Sequence, residues 1–112
     1  MTLLERQILF TVMTGELIRW CYQEGFDITY GETLRSKEEA KRNANNGSGI
    51  SNSLHIIGLA VDFKLFKNGI YLKELKDYEP LGVFWESIGG SWGGRFKRPD
   101  ADHFSLSYNG VR

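Results

Sequence analysis

The stretch Leu59-Ala-Val-Asp-Phe-Lys-Leu-Phe66, followed by Asn68-Gly69 and then Ile70-Tyr-Leu72, decides the fold class. Val61, Phe63 and Leu65 alternate with Asp62 and Lys64, the period-two pattern of a strand with one buried face. Asn-Gly suits the left-handed backbone of a two-residue hairpin turn. A strand over 59–66, hairpinned to a strand over 70–72, follows.

Outward from this hairpin, Phe26 to Tyr30 and Phe104 to Tyr108 also alternate and read as strands. Residues 3 to 23 place Leu4, Ile8, Leu9, Val12, Met13, Leu17, Trp20 and Cys21 at helical spacing, and Gly25 supplies a stop. Ser36 with Glu39 forms a capping-box pattern for a short helix to about Ala44. Residues 45 to 52 are a polar, glycine-rich loop. A further helical pattern runs from Tyr78 to Ile88 around Pro80, and 89 to 94 holds too many glycines for a helix. Helix, strand, helix, strands, helix, strand predicts an α+β domain over 1–112, a small antiparallel sheet with helices packed on it.

A chain of 112 residues with 41% hydrophobic content can bury a real core. Fourteen basic residues balance fourteen acidic ones, so net charge makes no case for nucleic acid or an anionic membrane. Cys21 is the only cysteine, which excludes an internal disulfide, and its apolar setting reads as a buried, inert thiol. The N-terminal residues lack the basic and apolar regions of a signal peptide, and no run is long enough for a transmembrane helix. The expectation is a chain synthesised in the cytoplasm without membrane insertion, which needs another factor to reach a substrate elsewhere.

The chemistry concentrates around the two histidines. His55 stands where the polar loop enters the 59–66 strand, Asp62 lies on that strand opposite Val61 and Phe63, and His103 precedes the last strand. If these strands pair, His103 approaches Asp62. Two imidazoles and one carboxylate make a three-ligand set that leaves a fourth position for water, which suits zinc without excluding other divalent metals. Spacing alone leaves the alternative open: Asp62 as a surface carboxylate and both histidines as turn caps.

The string Ser53-Leu-His55-Ile-Ile-Gly58-Leu-Ala60-Val-Asp62 resembles the zinc site of VanY-type D-Ala-D-Ala carboxypeptidases and of the related L-alanyl-D-glutamate endopeptidases of phage endolysins. Trp92-Gly-Gly-Arg-Phe96, followed by Asp100-x-x-His103-Phe104, resembles the second half of the same signature, and Leu34-Arg35-Ser36 sits where the family carries its arginine. The resemblance implies a hedgehog/D-Ala-D-Ala-peptidase-like domain with Zn2+ on His55, Asp62 and His103. It implies Asp100 as general base and Arg35 as donor to the oxyanion. Asp102 stays open as an alternative base or as a partner that orients a histidine. On a strand-like path, alternation would turn it away from the His103 side. Ser53 is expected to bond backbone or a ligand, and Trp92 and Phe96 to flank the cleft or join the core. Gly58 and Ala60 are expected to make space.

The implied activity is hydrolysis of peptidoglycan stem peptides by a monomer, with the L-alanyl-D-glutamate bond favoured by the Trp92 to Phe96 string. D-Ala-D-Ala carboxypeptidase or dipeptidase is the alternative within the family. A non-catalytic zinc module that binds cell wall or protein, and a metal-free interaction domain, are the alternatives outside it.

Overall fold

The structure, a computed structural model, describes residues 1–31 and 54–112. The expected 36–44 helix and 45–52 loop, and the candidate residues Arg35 and Ser53, lie outside the described residues.

Helix α1 spans Leu3–Glu24. Thr2 and Glu5 form a reciprocal capping box at its start, satisfying two amide N–H groups that the helix itself cannot. Gly25, with φ of 82°, takes the left-handed conformation that ends it. The buried stripe is Phe10, Met13, Leu17 and Cys21. Leu4, Ile8 and Val12, which spacing assigns to the apolar face, are more than half exposed. They recur at helical spacing too, but on the solvent side, so periodicity does not tell the two stripes apart.

The strands are β1 Asp27–Tyr30, β2 Ala60–Lys67, β3 Ile70–Leu72, β4 Ser91–Trp92 and β5 His103–Ser105. All pairings are antiparallel, in the order β1-β2-β5-β4, with β3 paired to β2. The α+β architecture with a small antiparallel sheet is as the sequence predicts. Asn68 and Gly69 both have positive φ, 52° and 79°, as the hairpin turn requires. The last strand is shorter than expected and starts one residue earlier, at His103.

Helix α2 runs Leu75–Ser87. It starts before the expected Tyr78, with Pro80 inside it. Pro80 stands in the second turn and is exposed to solvent, where one absent amide bond is tolerated. Asp77 accepts from the Glu74 amide at 3.2 Å and so begins the helix earlier.

Both helices contribute to one core with the sheet face that carries Val61, Phe63 and Leu65, each at most 2% exposed. Trp85 donates to the Ser105 carbonyl (2.9 Å), and the Leu65 amide donates to the Tyr78 hydroxyl (3.0 Å). Both aromatic residues thus bury large surfaces with their polar tips satisfied. Among the described residues, no helix is long and apolar enough to cross a membrane.

Burial pushes the Cys21 thiol from 9.0 up to about 12. The folded thiol therefore keeps its proton where the unfolded one loses it, and the fold loses this contribution as pH rises from about 9 to about 12. Native protein at pH 8 is expected to resist a thiol-specific chromogenic reagent, with stoichiometric reaction after denaturation. Rapid reaction of the native chain would contradict this burial.

Candidate metal centre

Strand register brings the centre together. Asp62 on β2 and His103 on β5 are direct partners in the antiparallel ladder, so their side chains share a face. Neighbours Val61 and Phe104 pair on the opposite face, in the core. The Asp62 carbonyl accepts from the Gly31 amide at 2.7 Å, which fixes its backbone from the β1 side as well.

His55 arrives on a tight turn. The Leu59 amide donates to the Leu54 carbonyl (3.0 Å), and buried Leu54 anchors the turn in the core. Gly58 has φ of 71°, a conformation costly for a residue with a Cβ. A Cβ there would meet only Gln7 Nε2, at 3.7 Å. Gly58 is therefore a conformational requirement rather than the space-maker expected. Gln7 of α1 donates to the Ile57 carbonyl at 2.8 Å and clamps this turn, a role with no sequence signal.

The result is a convergent donor set. His55 Nε2 lies 3.3 Å and His103 Nδ1 3.8 Å from Asp62 Oδ1. One ligand atom from each of the three residues falls within 4.8 Å of the others. Donors 2.0–2.2 Å from one tetrahedral ion are separated by about 3.4 Å, so the spacing and the nitrogen–oxygen donor chemistry fit a single divalent cation. Both histidines are nearly buried, at 3% and 6%, and Asp62 is half-buried. Phe96 packs on the His103 ring with centroids 5.2 Å apart, which limits the ring's rotation.

The segment before His103 is a turn, so alternation does not govern Asp102. Asp100 is exposed and Asp102 half-buried, and both line one cavity of about 320 Å³. Burial, then a hydrogen bond and charge repulsion from Asp100, push the Asp102 carboxyl from 3.8 up to about 6. The structure thus places Asp102 beside Asp100, where alternation would separate it from the site.

Trp92 is a core residue, 2% exposed, the second of the two places the sequence leaves open for it. Its indole N–H donates to the Ala101 carbonyl at 2.7 Å, so it holds the loop between Asp100 and His103 from beneath. Gly93 is the residue that sequence reasoning passes over. Its carbonyl accepts from the Asp100 amide (2.9 Å), and a Cβ on it would lie 2.2 Å from the Asp100 carbonyl oxygen and 2.8 Å from His103 Cβ.

The profile of the D-alanyl-D-alanine carboxypeptidase family matches residues 46–106, more than half the chain, including all three donor residues and Asp100. The L-alanyl-D-glutamate peptidase of Listeria phage A118 is 30% identical over 106 residues, which cover 85% of this chain and 36% of that protein. The chain thus spans about a third of that relative's length. The crystal structure of the Serratia marcescens L-Ala D-Glu endopeptidase ChiX superposes with a TM-score of 0.70 at 26% identity, over 81% of this chain and 75% of that one. With the profile covering the ligand strand, the Trp92 loop and the second histidine, the chain belongs to the D-alanyl-D-alanine carboxypeptidase family.

Proposed function

We propose that this chain is a zinc peptidase that hydrolyses the L-alanyl-D-glutamate bond of peptidoglycan stem peptides, with residues 1–112 acting as one monomeric domain. The observation that carries the reading is the convergence of His55, Asp62 and His103, with His103 held to Asp100 by a backbone turn. These three residues would hold zinc, which would supply a water of near-neutral pKa and a Lewis acid for the scissile carbonyl.

The chain's own groups do the rest. Asp100 is the general base, accepting a proton from the attacking water at its carboxylate and returning it to the departing amine. Asp102, which lines the same cavity as Asp100 and whose carboxyl is pushed up by burial and by Asp100, orients it. Trp92 and Gly93 fix the loop on which Asp100 and His103 stand. Arg35, by its match to the family arginine, donates to the developing oxyanion. The choice of bond is supported by the activities that the phage and Serratia relatives are named for. The family description supports D-Ala-D-Ala carboxypeptidase as a second reading.

Digestion of purified peptidoglycan, with mass spectrometry of the fragments, tests the choice. The expected product is a new N-terminal D-glutamate. Free D-alanine without that terminus would transfer the assignment to the carboxypeptidase reading. Stoichiometric zinc with no cleavage of any wall preparation would instead point to a non-catalytic binding module.

A further inference from the structure

Strand β2 changes partners along one edge: Ala60–Asp62 pair with β5, and Leu65–Lys67 pair with β3. The cavity of about 320 Å³ is lined from both sides of this changeover. Asp100 and Asp102 form one wall, and Tyr71, Lys73 and Tyr78 belong to the other. One wall offers carboxylate acceptors. The other offers an ammonium and two phenols, the Tyr78 hydroxyl accepting from the Leu65 amide.

Strand parity puts two of the residues that line this cavity, Tyr71 and Lys73, on the sheet face of the metal centre. Phe66 is four residues beyond Asp62 and shares its face, and Tyr71 is the ladder partner of Phe66, with ring centroids 5.5 Å apart. Lys73, two residues past Tyr71, continues back toward Asp62. Its Nζ lies 5.6 Å from the Tyr71 ring centroid. Continued one step beyond the Leu65–Leu72 pair, the register brings Lys73 level with Lys64, about 7 Å along the strand from Asp62. A lysine side chain spans most of that distance.

We propose that Lys73 is a specificity-determining residue that binds a substrate carboxylate on the leaving-amine side of the scissile bond. The inference rests on the L-alanyl-D-glutamate reading. In such a stem peptide, D-glutamate continues the chain through its side-chain carboxyl, and its α-carboxyl is free or amidated. The amine released by cleavage and this α-carboxyl share one carbon. A site that returns a proton to that amine at Asp100 therefore meets the carboxylate within a few ångströms. The cavity presents matching groups, with Asp100 on the amine side and Lys73 on the carboxylate side.

The test compares two synthetic stem peptides, one with D-glutamate and one with D-isoglutamine, on the zinc-loaded chain. Wild type is expected to favour the free carboxylate about tenfold in kcat/KM, the discrimination of one charge-assisted hydrogen bond. Lys73→Met is expected to bring that ratio close to one, with the loss appearing in KM. Lys64→Met, on the same sheet face but outside the cavity lining, is expected to preserve the ratio. Calorimetric binding of the product dipeptide γ-D-Glu-L-Lys should weaken in Lys73→Met by a similar factor. Cleavage of both peptides with equal efficiency by wild type, or an equal loss on both in Lys73→Met, overturns the carboxylate subsite alone. Failure of wild type to cut either peptide overturns the L-alanyl-D-glutamate reading and the subsite with it.

Discussion

Asp100→Asn is expected to lower turnover about 10²–10⁴-fold, the usual worth of a general base, while zinc content stays at the wild-type level. The substitution keeps the size of the side chain and changes only its ability to accept a proton. Its backbone contacts are untouched, since the Asp100 amide still donates to Gly93 and its carbonyl still accepts from the His103 amide. An asparagine amide can also still donate to the Asp102 carboxylate, so the loop loses little order. Asp102→Asn separates the two carboxylates. It is expected to cost less than Asp100→Asn, because Asp102 acts through Asp100. Single-turnover rates paired with metal analysis decide the matter. A larger loss in Asp102→Asn would make Asp102 the base.

Gly93→Ala is expected to cost more stability than any other glycine-to-alanine change at this site, and to remove activity with it. Its new Cβ would stand 2.2 Å from the backbone carbonyl oxygen of Asp100, and a carbonyl in a hydrogen-bonded turn cannot step aside as a flexible side-chain tip could. Overpacking against such an obstacle costs about 3 kcal/mol, the upper end of the common range. For a domain of this size that lowers the melting temperature by roughly 10 °C or more. The displaced loop carries Asp100 and His103, so the proposed base and the proposed metal ligand move together. Gly15→Ala is the control, because Gly15 lies in α1 and a Cβ added there would meet nothing within 4 Å. It is expected to stabilise the fold by about 0.5–1 kcal/mol through helix propensity. Thermal unfolding of both variants provides the comparison, and a Gly93→Ala protein as stable and active as wild type would refute the packing argument.

The hairpin is legible in the sequence because two local signals agree there: alternation across Val61, Phe63 and Leu65, and the Asn68-Gly69 turn. The same alternation places Asp62 away from the core, and the three candidate donors that the strands bring together stand out by their types and order. Other features depend on which part of the chain passes over which. The solvent stripe of Leu4, Ile8 and Val12 has the same spacing as the buried stripe of α1, so only tertiary packing separates them. Trp92 lies between glycines in a segment that reads as loop, and its burial follows from α2 crossing beneath it at Gly82, where a Cβ would meet the indole at 2.1 Å. Alternation misplaces Asp102 because a turn, not a strand, leads into His103. The clamp from Gln7 to the His55 turn joins residues 50 positions apart and leaves no local trace.

The central claim is that His55, Asp62 and His103 hold one zinc ion. Elemental analysis of untagged protein, purified without chelator and dialysed against metal-free buffer, measures it directly. One equivalent of zinc per chain is expected in the wild type, and far less than one in His55→Ala and His103→Ala variants whose circular dichroism shows them folded. Wild-type protein without bound metal after zinc is offered, or folded histidine variants that retain a full equivalent, would contradict it.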